Sequence, residues 1–137
     1  MTAPRPLRVE LYRRFTDLDL LGHVNNVAYF DYLQEARIAL LREVGFVRAE
    51  SFAQVVVKQE LTHLKPLLLS PRPIVIETWV TGLRNSSYTV KFRILDENDE
   101  IAAEATTVVA VIDKETSKPT RISDELRALL APYTLVT

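Results

Sequence analysis

The chain predicts an α+β fold in which one long helix is wrapped by a curved antiparallel sheet of about five strands. Three features carry that expectation. A polar loop at 15–25 runs straight into a helical pattern at 26–44. Four runs rich in Val, Ile, Thr and aromatic residues follow it, the composition of half-buried strands. Short turns join those runs, so consecutive strands pair antiparallel, with the helix on one face of the sheet.

Each element follows from its residues. Residues 1–6 hold two prolines and form a loose lead-in. Residues 7–14 alternate, with Leu7, Val9 and Leu11 on one side and Arg8, Glu10, Tyr12 and Arg14 on the other, the pattern of a half-buried strand. The helix is expected to stop at Gly45. Tyr29, Phe30, Tyr32, Leu33, Ala36, Ile38, Ala39, Leu40, Leu41 and Val44 leave it few polar directions, so burial over most of its circumference is expected. The wrapping strands are read at 53–64, 74–83, 87–95 and 100–112. Lys65-Pro66 and Ser70-Pro71-Arg72-Pro73 bracket the first connection, Gly82 to Ser86 marks the second, and Asp96 to Asp99 reads as a hairpin turn. Ser123 looks like the N-cap of a short terminal helix, with Asp124 and Glu125 in its first turn and Leu126, Leu129 and Leu130 on one face. No repeat or linker interrupts the pattern, so residues 1–137 read as one domain. The sheet edge and far face call for cover, which favours a homodimer or a dimer of dimers.

Composition narrows the chemistry. A net charge of −1 gives no reason to expect a nucleic-acid partner. The absence of cysteine removes disulfides, cysteine nucleophiles and thiolate metal sites. No apolar run approaches the roughly 20 residues of a membrane span, and the N-terminus lacks the apolar centre of a signal peptide, so a cytoplasmic protein is expected.

What chemistry remains is concentrated in one loop. Asp17, Asp19, His23, Asn25 and Asn26 fall within ten residues, just ahead of a helix N-terminus. Such a terminus offers unpaired amides and partial positive charge. A carboxylate beside it can attack, or activate water against, a carbonyl that those amides polarise. Asp19 is the candidate for that work; an Asx-turn or capping role would explain it equally well. Asp17 is better suited to bonding loop amides or Arg14. His23 can orient the carboxylate, bond a substrate oxygen or shuttle a proton, or simply bond backbone. Asn25 and Asn26 read as cap and turn residues, and the amides of Asn26 and Val27 would face a bound carbonyl oxygen. A metal held by Asp17, Asp19 and His23 has no diagnostic ligand spacing behind it.

Beyond the loop, His63 and Glu60 would point to opposite faces of one strand. His63 reads as a satisfied sheet histidine, and Glu60 as solvated or paired with Lys58 or Lys91. Arg37, inside an apolar helix, is expected to have a carboxylate partner. Tyr29, Phe30 and Tyr32 read as core. Arg84, Lys91 and Arg93 could meet phosphates or remain solvated.

The pattern F-x-D-x-D-x-x-G-H-V-N-N-x-x-Y-x-x-x-x-x-E-A-R, followed by V-V-x-x-x-E-x-x-H-L-K-P and I-x-I-E-T-W-V, resembles the hotdog-fold acyl thioesterases of the 4-hydroxybenzoyl-CoA thioesterase type, over about residues 8–112. It is most similar to the His-Val-Asn-Asn branch, which includes long-chain acyl-CoA thioesterases and plant acyl-carrier-protein thioesterases. The resemblance implies a central helix in a wrapping sheet, dimerisation with the helices in the middle, and thioester hydrolysis at the dimer interface. It assigns the catalytic carboxylate to Asp19, the polarising helix amide to the neighbourhood of Asn26, and the branch histidine to His23. It suggests substrate or coenzyme A contacts at Asn25, Tyr29, Glu60, Arg84 and Ser87, and needs no cofactor beyond coenzyme A as part of the substrate. One departure is Leu21, where the plant branch has a participating Asn; this points away from that branch's mechanism and carrier-protein substrate. A hydratase or dehydratase acting on acyl thioesters through His23 or His63, and a non-enzymatic acyl-thioester binding domain, are the alternative readings.

Overall fold

The computed structural model describes residues 3–45 and 52–136. The strands are β1 (Leu7–Leu11), β2 (Phe52–His63), β3 (Ile74–Thr81), β4 (Ser87–Leu95) and β5 (Ile101–Asp113). The helices are α1 (Asn26–Glu43) and α2 (Asp124–Leu130). The five strands form one antiparallel sheet in the order β1-β3-β4-β5-β2, which leaves β1 and β2 as its edges. The pairing register places Trp79 opposite Lys91, and Glu60 opposite Thr106, and β2 carries a bulge between Val56 and Lys58.

Alternation fixes which side of the sheet is core. Ile74, Ile76 and Val80 of β3, Tyr88, Val90, Phe92 and Ile94 of β4, and Val109 and Val111 of β5 are buried in one cluster with α1. From α1 the cluster takes Ala28, Tyr29, Tyr32, Leu33, Ala36 and Leu40, the stripe that helical spacing lays along one face. Ile122, Leu126 and Leu130 close the far end, and Ser123 accepts from the Leu126 amide (3.1 Å) as the N-cap of α2.

Three expectations are corrected. Helix α1 is not buried around most of its circumference; the sheet covers one side only. Asn26, Val27, Phe30, Asp31, Gln34 and Glu35 face outward, and Ile38, Ala39 and Leu41 are half-buried. Phe30 stands one position off the buried stripe and is 38% exposed, so it is not core. Strand β1 ends at Leu11 rather than reaching residue 14, because Leu11 already pairs with Ile74, the first residue of β3; Arg13, just beyond, points inward. Its guanidinium donates to the carbonyls of Leu68 and Arg72 (both 2.7 Å) and pairs with Glu97 (3.0 Å), which ties the loop after β1 to two distant segments. Among the described residues, no helix is long and apolar enough to cross a membrane.

Candidate active site

After β1 the chain makes one 3-10 turn at Phe15–Asp17 and then a small closed loop. Leu18 bridges Val24, and His23 bridges Leu68, so the loop is pinned to the segment that follows β2. The Asp19 amide donates to the His23 carbonyl (2.7 Å) and the Gly22 amide to the Asp19 carbonyl (3.1 Å). Gly22 has φ +78°, a left-handed conformation that a side chain would strain, which is why glycine closes this turn.

The Asp19 carboxylate is part of the loop's own construction. Its Oδ1 accepts from the amides of Leu21 (2.9 Å) and His23 (3.1 Å). This is the Asx-type geometry open from the sequence. It uses one oxygen and orients the other, Oδ2, which has no partner among the described residues. The capping and chemical readings of Asp19 are therefore compatible.

Asp17 has a different fate. It is 3% exposed. Its Oδ1 accepts from Arg14 Nε (3.1 Å) and Nη2 (2.9 Å), and its Oδ2 from the Arg14 amide (3.0 Å) and the Tyr32 hydroxyl (2.5 Å). Burial alone would raise its pKa, but the bonds from Tyr32 and Arg14 outweigh that and hold the carboxyl below its ordinary range. Burial and the neighbouring Asp17 push the Tyr32 phenol up. Asp17 thus anchors the loop to α1.

The helix entrance is built by Asn25. Its Oδ1 accepts from the Ala28 amide (2.9 Å), while its Nδ2 and its own amide both donate to the Asp17 carbonyl (2.8 Å each). The amides of Asn26 and Val27, which precede the first intrahelical bonds, have no acceptor among the described residues.

A cleft of about 420 Å³ opens at this entrance, lined by Asp19, His23, Val24, Asn26, Tyr29, His63, Leu64, Lys65 and Pro66. It joins four of the candidates read from the sequence: Asp19, His23, Asn26 and Tyr29. It also takes in His63, which the sequence suggested was a satisfied sheet residue. The His63 ring stands edge-on to Tyr29, with centroids 4.7 Å apart and planes at 85°, and its nitrogens have no hydrogen-bond partner among the described residues. The sequence signal was its position: three residues past Glu60 it faces the other way, toward the helix side, just where β2 ends. Lys65 lines the same wall but is engaged by Asp96 (2.7 Å) and Glu100 (2.6 Å).

Four candidates lie elsewhere. Asn25 works behind the cleft, as the cap. Glu60 faces the outer side of the sheet, where it pairs with Lys58 (2.9 Å). Arg84 and Ser87 close the β3–β4 turn through a 2.8 Å backbone bond, and the Arg84 carbonyl accepts from Arg127 (2.6 Å). Arg93 lies over Trp79, 5.2 Å from the ring centroid. Arg37 has no carboxylate partner among the described residues, contrary to expectation, because it stands on the half-covered flank of α1 where water reaches it. Among the described residues no three His, Cys, Asp or Glu side chains are gathered as a metal would require.

Comparison with known proteins adds independent information. The family model of the Thioesterase-like superfamily matches residues 13–130. The long-chain acyl-CoA thioesterase FadM of Escherichia coli is 28% identical over 128 residues, covering 90% of this chain and 96% of that protein. A Thermus thermophilus thioesterase, solved in complex with coenzyme A and Zn, is 30% identical with a TM-score of 0.76, covering 90% of each chain. The PA5185 protein of Pseudomonas aeruginosa superimposes with a TM-score of 0.84 at 28% identity, covering 96% of this chain and 97% of that one.

Proposed function

The chain belongs to the thioesterase-like superfamily, and from that premise we propose that it hydrolyses acyl-CoA thioesters to the free acid and coenzyme A, with Asp19 as the working carboxylate. One observation carries the reading. Asp19 lines the cleft at the entrance of α1, with one oxygen fixed by two loop amides and the other unengaged.

The chemistry follows from the groups around it. The thioester carbonyl oxygen sits over the unpaired amides of Asn26 and Val27, whose dipoles favour the negative charge that develops there. The free oxygen of Asp19 either attacks the carbonyl carbon, giving a mixed anhydride that water opens, or takes a proton from the attacking water. His23, on the same loop, positions the carboxylate or the water. The reaction as proposed uses only protein groups and water, and coenzyme A enters as part of the substrate. A second copy of the chain is proposed to cover the open flank of α1 and complete the cleft. With acyl-CoA esters as the substrates, we also propose a cytoplasmic location.

The reading is tested by following free-thiol release across aliphatic and aromatic acyl-CoA esters and an acyl-carrier-protein ester. Thiol and acid should appear in equal amounts from the coenzyme A esters. Hydration of an enoyl-CoA without thiol release would replace the proposal with the hydratase reading, and binding without turnover would replace it with a carrier role.

A further inference from the structure

The chain has two histidines, and both line the cleft that holds Asp19. His23 shares the Asp19 loop, and its amide is spent on the Asp19 carboxylate. His63 belongs to the opposite, strand wall. Its ring is braced edge-on by Tyr29, a side chain only 2% exposed, so the imidazole has a firm support on one side and the open cleft on the other. Neither ring nitrogen has a hydrogen-bond partner among the described residues. The other basic side chain of that wall, Lys65, is held by Asp96 and Glu100. His63 is therefore the unengaged proton donor of the strand side.

We propose that His63 is a catalytic residue that protonates the departing sulfur, an inference that rests on the thioesterase reading above. The amides at the α1 entrance take the carbonyl oxygen and Asp19 occupies the loop side. The strand wall is left for the leaving group. When the tetrahedral intermediate collapses, the carbon–sulfur bond breaks and its electron pair goes to sulfur. The imidazolium ring proton passes to that sulfur, giving the thiol. The neutral imidazole regains its proton from the attacking water, through Asp19 where that carboxylate is the base, or directly as water opens the mixed anhydride where Asp19 is the nucleophile. The net change is thioester plus water to acid plus thiol, so atoms and charge balance.

This assignment makes His63 matter only for leaving groups that need a proton. The test uses the full chain and two esters of one acyl group: the coenzyme A ester, whose alkyl thiolate is basic, and a 4-nitrothiophenyl ester, whose thiolate departs without help. For His63→Gln, kcat should fall about 10²-fold on the coenzyme A ester and stay within about threefold on the nitrothiophenyl ester, the low end of general-acid effects. Retained turnover of the activated ester also demonstrates that the variant is folded. His63→Phe, which keeps a ring against Tyr29, should show the same split. Equal losses on both esters from a folded His63→Phe, as a structural or acyl-binding role would give, overturn the proposal; so does unchanged turnover of both. Wild-type protein inert toward every thioester removes the thioesterase reading, and this inference with it, whereas an active enzyme without the split removes this inference alone.

Discussion

Asp17 and Asp19 stand in the same loop, and their neighbours differ completely. Asp17 is buried, and both its oxygens are engaged, by Arg14 and by the Tyr32 hydroxyl. Asp19 is exposed on a cleft and gives one oxygen to two amides. The first carboxylate has no capacity left for chemistry, and its value is the attachment of the loop to α1. The second is held in place by the donors that leave its other oxygen free. A carboxylate at an active site must be oriented and yet unsaturated, and of the two only Asp19 meets both conditions.

Asp19→Asn tests the contrast most severely. The amide oxygen of Asn can still accept from Leu21 and His23, so the loop keeps its closure while the proposed nucleophile or base is lost. Thioester turnover should fall by about 10²–10⁴-fold, the usual contribution of a general base, with thermal stability nearly unchanged. Turnover within a few-fold of wild type would break the comparison outright, since Asp19 would then be a loop cap and nothing more.

Asp17→Asn should give the opposite signature. It removes a buried charge and leaves the Tyr32 hydroxyl and Arg14 poorly matched. Because Arg14 is largely exposed, its share is small. The expected loss is about 2 kcal/mol, read from denaturant unfolding, the range for a buried hydrogen bond to a charged group. The pH dependence sharpens this. Tyr32 and Arg14 hold the folded-state pKa of Asp17 below its unfolded value, despite a burial effect of the opposite sign. Its contribution is therefore complete above an unfolded pKa of about 3.9 and is lost as pH falls through the folded value. Wild-type stability should drop steeply below about pH 4, and Asp17→Asn less steeply. Asp96 is also held low, by Lys65 and by the amides of Glu100 and Asn98 against its own burial, and it contributes equally to both proteins, so the difference isolates Asp17.

How far the sequence reveals this arrangement depends on the range of the interactions involved. The start of α1 at Asn26 was legible because Asn25 is a local cap, and α2 because Ser123 is another; each bond spans three residues. The four later strands were legible from their β-branched and aromatic content, and the first from its alternation. The contents of the loop were legible as residue types, and Arg14 could be named as a partner of Asp17 because it is close in the chain. The end of β1 was not, because it is set by where its partner β3 begins, at Ile74, far along the chain. Nor was the exposed flank of α1, since apolar content alone does not say how far a sheet will wrap. His63 was misread for the same reason: facing the helix side of β2 ordinarily means burial, but here the strand ends at the mouth of the cleft, where the residue stays exposed with its ring edge-on to Tyr29.

Asn25 joins the two regions, and its removal should have the smallest effect of the three. Its side chain accepts from the Ala28 amide and donates to the carbonyl of Asp17, so it links the anchored part of the loop to the helix entrance. Asn25→Ala should cost about 1 kcal/mol, the usual value of an N-cap. If the entrance amides polarise the substrate, loosening them should also lower kcat, by less than the roughly 10²–10³-fold loss of a whole oxyanion donor, because the backbone remains. KM should change little. A variant that loses the stability but keeps full kcat would show that the α1 entrance stays ordered without its cap. The link between anchor and cleft would then run through the Asn25 backbone amide alone, which Ala retains.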